Sequence, residues 1–85
     1  MIVTILYFAA LREAIGRGEE RLDVPDSVAT IGQLVDWLAR QGAGHAQAFA
    51  VRDRLLCAID QQLCPLETAL GTPKEIAFFP PVTGG

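Results

Sequence analysis

Two adjacent prolines, Pro80 and Pro81, fix where the fold of this chain has to stop. The residues before them, Ile76-Ala77-Phe78-Phe79, are apolar, aromatic and β-favouring, and Pro80 ends any strand they form. A Pro-Pro pair favours an extended, polyproline-like path that cannot rejoin a sheet ladder. After it come Val82, Thr83, Gly84 and Gly85. A buried strand followed by a stiff spacer and an end without side chains presents one reactive group, the α-carboxylate of Gly85. The chain therefore divides into a domain over 1–80 and an extended tail over 81–85.

Composition sets the remaining limits. With 85 residues the chain is one domain with a modest core, and 51% hydrophobic with 20% charged residues is a globular profile. Ten acidic residues against seven basic ones give a net charge of −3, which argues against nucleic acid as a partner. The apolar run Met1–Leu11 is too short to span a bilayer and lacks a basic start, so neither membrane nor export is expected. Two cysteines and no export signal point to the cytoplasm.

Ile2–Phe8 alternates as a strand, with Val3, Ile5 and Tyr7 facing inward and Ile2, Thr4, Leu6 and Phe8 outward. Alternation alone leaves open whether that outer face is covered. Ala9–Ile15 is a short helix stopped by Gly16, and Glu19–Val24 is a half-buried strand. Pro25-Asp26-Ser27 is a turn. Thr30 and Gln33 form a capping box ahead of a helix reaching about Gln41, whose stripe is Ile31, Leu34, Val35 and Leu38. Trp37 falls at the margin of that stripe. Gly42 and Gly44 read as its end. His45–Arg52 then allows a further short helix, with Ala46, Phe49 and Ala50 on one side and His45 as a solvated polar residue.

Leu55–Ile59 and Gln62–Cys64 are strands joined by a tight turn at Asp60-Gln61, which makes Cys57 and Cys64 cross-strand neighbours. Their spacing is that of neither a metal nor a redox motif, and they read as buried, reduced thiols. One helical turn over Pro65–Leu70, closed by Gly71, leads to a last strand from Glu75, with Ile76 and Phe78 inward and Glu75, Ala77 and Phe79 outward. The class is α+β: a mixed sheet of about five strands with one main helix on one face. Pairing the first and last strands at its centre would gather Phe8, Phe79 and Leu63 into one apolar patch at the root of the tail.

The chain has no phosphate loop, nucleophile elbow or pair of metal-binding histidines, so as an isolated enzyme it is deficient. A terminal carboxylate, with a pKa of about 3.5, is ionised and a poor electrophile until it is adenylated. Phe78-Phe79-Pro80-Pro81-Val82-Thr83-Gly84-Gly85, with Ile5-Leu6-Tyr7-Phe8-Ala9 and Leu11-Arg12-Glu13 near the start, resembles the small subunits of molybdopterin synthase, ubiquitin-like β-grasp sulfur carriers. The similarity is tight in the tail and loose between residues 40 and 70, where Gly42-Ala43-Gly44 and the two cysteines depart from the family pattern.

That resemblance implies a specific chemistry. A ubiquitin-activating-type enzyme would use ATP and Mg²⁺ to adenylate Gly85, and a persulfide donor would convert it to a thiocarboxylate. The tail, with Gly84 allowing it to thread, would enter the large subunit and give its sulfur to cyclic pyranopterin monophosphate. Two copies of each subunit form the usual assembly. The chain would bind no cofactor of its own, and the catalytic side chains would lie on the large subunit. Phe8, Leu63, Phe79, Pro80, Pro81, Val82 and Thr83 would touch partners. Two other readings stand beside this one: a thiamine-type carrier or ubiquitin-like protein modifier, and an interaction domain whose tail only docks. Thiamine-type carriers are usually shorter and lack the Phe-Phe-Pro-Pro approach.

Overall fold

The structure, a computed structural model, describes residues 1–53 and 55–80. In chain order its elements are β1 (Ile2–Tyr7), α1 (Ala10–Ile15), β2 (Glu19–Asp23), α2 (Ile31–Ala39), α3 (Ala43–Ala48), β3 (Leu56–Ile59), β4 (Gln62–Cys64) and β5 (Glu75–Phe79). The strands form one sheet in the order β2-β1-β5-β3-β4. β5 runs parallel to β1 and antiparallel to β3, so the last strand lies at the centre. This is the mixed α+β sheet that the residue pattern predicts.

Alternation places the core. Val3, Ile5 and Tyr7 of β1 and Ile76 and Phe78 of β5 are buried, while Ile2 and Phe8 are exposed. Across from them α2 buries Ile31, Leu34, Val35 and Leu38 completely. A nine-residue helix is marginal in water on its own. Burying each of these side chains contributes about 2 kcal/mol, and that holds the helix in place. Its first donors are satisfied from outside: Ile31 N–H donates to Thr68 O at 3.0 Å and Gly32 N–H to Leu66 O at 2.8 Å. Thr30 Oγ1 accepts from Gln33 N–H at 3.2 Å, but Gln33 Oε1 accepts from Ala29 N–H at 2.7 Å, one residue further back than in a capping box.

The region from 42 to 52 differs from its sequence reading. Instead of breaking the chain, Gly44 lies inside α3, which starts two residues earlier than expected, and Ala46 and Ala50 are exposed, leaving Phe49 as the buried anchor. The physical reason is close packing. A Cβ on Gly44 would stand 2.4 Å from the carbonyl oxygen of Ala14 and 3.2 Å from Ile15 Cα, so α3 reaches α1 only because residue 44 has no side chain. Two effects oppose each other in Gly44→Ala. Helix propensity favours alanine by about 1 kcal/mol, whereas overpacking against backbone costs up to about 3 kcal/mol. The expected net result is a loss of about 2 kcal/mol in urea unfolding. Equal or greater stability in the variant would show that the two helices separate freely.

Candidate functional site

The end of the sheet where β5 finishes is shaped by a tight turn. Phe8 N–H donates to Phe78 O at 3.2 Å, continuing the β1–β5 pairing by one residue. Leu11 N–H then donates to Phe8 O at 3.1 Å around Ala9, whose φ of 52° and ψ of −125° suit glycine better than alanine. The turn lifts the chain out of the sheet and leaves Phe8 beside Phe79. Their rings stack with centroids 4.8 Å apart and an interplanar angle of 10°.

Pairing register extends this surface. Leu56 stands opposite Phe79, and Ala58 lies between Leu63 on one side and Ala77 on the other. Phe8, Leu56 and Leu63 are exposed large apolar side chains, Leu63 at 74%, while Phe79 and Pro80 are half-buried. Ala77 faces outward as expected, yet is only 5% exposed because its small side chain sits among larger neighbours. The outer face thus carries an apolar strip across β1, β5, β3 and β4, at the end where β5 delivers Pro80. Phe8, Phe79 and Leu63 share this outer face, as alternation predicts. Leu56 was missed, although its register opposite Phe79 would have added it once β3 was paired with β5. Pro81, Val82, Thr83, Gly84 and Gly85 lie outside the described residues.

On the opposite face of the sheet a polar cluster departs from the sequence reading. His45 is no solvated loop residue: its Nε2 lies 2.6 Å from Glu20 Oε1, which also accepts from Tyr7 Oη–H at 2.8 Å. Both side chains are largely covered, at 14% and 12% exposed. Arg17 stands 3.6 Å from the other carboxylate oxygen. Glu20 is 25 residues away in the sequence, so no local spacing could announce it. Burial alone would raise the Glu20 pKa, but hydrogen bonds from His45 and Tyr7, with the nearby positive charge, bring it below its ordinary 4.5. Burial, then the bond to Glu20, pushes the Tyr7 hydroxyl well above its usual value.

The cluster fastens α3 to β1 and β2, away from the apolar strip, and its sign in a pH experiment is fixed. A carboxylate with a depressed folded pKa stabilises above its unfolded pKa, and that contribution fades as pH falls through the folded value. Glu20→Gln is therefore expected to lose about 1 to 2 kcal/mol at neutral pH, with the difference from the parent chain shrinking below about pH 4.5. Urea melts at neutral and acidic pH measure this. A difference that stays constant with pH would remove Glu20 as the titrating group.

A model of the ThiS family matches residues 5–85. This chain belongs to the ThiS family. The molybdopterin synthase sulfur carrier subunit of Haemophilus influenzae is 43% identical to this family member, with 99% of this chain and 100% of the relative covered. The subunit of the same name from Escherichia coli is 35% identical, again over 99% and 100% of the two chains. Among solved structures, SAMP1 from Haloferax volcanii superposes with a TM-score of 0.74 at 29% identity, covering all of both chains. The ThiS-family chain accordingly has the ubiquitin-like β-grasp fold. Among its described residues no helix is long and apolar enough to cross a membrane.

Proposed function

We propose that this chain is the sulfur-carrier subunit of a molybdopterin synthase, the sulfur-donating part of a cytoplasmic sulfurtransferase complex. The observation that carries this reading is the end-to-end match, at 43% identity, to a relative bearing that name. The geometry supports it independently: the central strand ends at Phe79 and leads into Pro80 beside an apolar strip suited to another protein. The Gly85 carboxylate is activated as an acyl-adenylate by a ubiquitin-activating-type enzyme that uses ATP and Mg²⁺. AMP is then displaced by the outer sulfur of a persulfide donor to give an acyl disulfide. A second thiol cleaves its S–S bond, leaving the thiocarboxylate on Gly85 and a disulfide on the donor. The side-chain-free Gly84-Gly85 end enters the large subunit, whose side chains catalyse transfer to cyclic pyranopterin monophosphate. Phe8, Leu63, Phe79, Pro80, Pro81, Val82 and Thr83 make the partner contacts, and two copies of each subunit form the assembly. The chain itself holds no cofactor.

Reconstitution tests the pathway. Thiocarboxylated chain, large subunit and pterin precursor should yield molybdopterin, and the untreated carboxylate form should yield none. Sulfur passing only to a thiazole-forming enzyme, or the chain becoming attached to lysines, would replace this reading with that of a thiamine-type carrier or a protein modifier.

A further inference from the structure

The β3–β4 hairpin brings Cys57 and Cys64 together more closely than inert thiols require. They are registered partners on β3 and β4, with sulfurs 3.7 Å apart and no bond between them. Directly opposed residues of antiparallel strands have Cα atoms about 4.5–5.5 Å apart, inside the range of about 4.4–6.8 Å that a disulfide spans. Only the two side chains need to turn, closing the sulfurs by about 1.7 Å to a bond of about 2.05 Å.

The two thiols differ in access. Cys57 is 1% exposed, beneath the sheet and registered beside Phe78. Cys64 is half-buried and lines an open groove with Gln62, Thr68 and Ala69. We propose that Cys57 and Cys64 are a reversible dithiol–disulfide site, closed by a peroxide-class oxidant that enters at Cys64. Burial, and then the hydrogen bond with Cys64, pushes the Cys57 thiol up to about 12, which leaves Cys64 as the first nucleophile.

The chemistry balances in two steps. The Cys64 sulfur attacks one peroxide oxygen, an S–O bond forms as the O–O bond breaks, and the departing hydroxide takes the thiol proton as water. The Cys57 sulfur then attacks the Cys64 sulfur, S–S forms, S–O breaks, and the second hydroxide leaves with the Cys57 proton as water. Two thiols are oxidised to one disulfide and one hydrogen peroxide is reduced to two waters. Closure fastens the edge strand that carries Leu63 to its neighbour. Leu63 points to the opposite face from Cys64, so the apolar strip stays uncovered.

The test uses the full chain, reduced, exposed to hydrogen peroxide, then denatured, alkylated with iodoacetamide and weighed intact without reductant. The expected product is a monomer lighter by two hydrogens and free of alkylation, restored to two alkylated thiols by dithiothreitol. In Cys64→Ser the remaining Cys57 should stay fully alkylatable after the same exposure. In Cys57→Ser, Cys64 should gain one oxygen or join a second chain. Two alkylated thiols in the oxidised parent chain, stable oxygen adducts without ring closure, or a disulfide-linked dimer would each overturn the proposal.

Discussion

Removing Gly85 should abolish sulfur transfer to the pterin precursor while leaving folding and docking to the large subunit nearly unchanged. The shortened chain still ends in a glycine carboxylate, so a merely flexible terminus would lose little. Position is what fails. Each residue contributes about 3.5 Å of extended reach, and a misplacement of about 1 Å at a reacting centre already costs on the order of a hundredfold in rate. The sheet should not register the loss, because β5 ends at Phe79, six residues before the deleted one. Single-turnover transfer, thermal melting and binding to the large subunit measure the three quantities separately. Retained transfer would show that the reacting carbon need not lie at residue 85, and an unfolded variant would show that the tail belongs to the core.

Phe79→Glu should weaken binding to the large subunit by about 3 kcal/mol, roughly a hundredfold in Kd. Phe79 stacks on Phe8 and pairs across to Leu56, so the substitution takes an aromatic ring out of the apolar strip. The larger share comes from the carboxylate, which would lie without a partner in an apolar interface. The domain should remain folded, since Phe79 is the last residue of β5 and points away from the side buried by α2. Titration calorimetry alongside a melt separates the effects. Unchanged affinity in a folded variant would remove Phe79 from the contact.

The legible parts of this chain were those where one local rule acts alone. Strict alternation in Ile2–Phe8 and Glu75–Phe79 placed Val3, Ile5, Tyr7, Ile76 and Phe78 in the core and Phe8 and Phe79 on the outer face. The stripe of α2 and the register of Cys57 with Cys64 followed from helical spacing and a two-residue turn. Where two segments remote in sequence meet, local rules misread the residues. Gly44 has the composition of a helix stop, but the backbone of Ala14 against it makes it a packing position. His45 in a glycine-rich stretch has the look of a solvated residue, and only the folded sheet brings Glu20 to it. Leu56 became visible as part of the apolar strip only when its partner in β5 was known. The position of the candidate site was therefore readable from the tail and its two phenylalanines, whereas its width across β3 and β4 depended on topology.

One measurement reaches the centre of the account: the intact mass of the chain after incubation with ATP, Mg²⁺, its adenylating enzyme, a persulfide donor and a thiol reductant. The expected product is heavier by the difference between one sulfur and one oxygen, and fragmentation should place that change on Gly85. A mass that stays constant while the adenylating enzyme consumes ATP, or a sulfur carried on Cys57 or Cys64 instead of the terminal carbonyl, would contradict it.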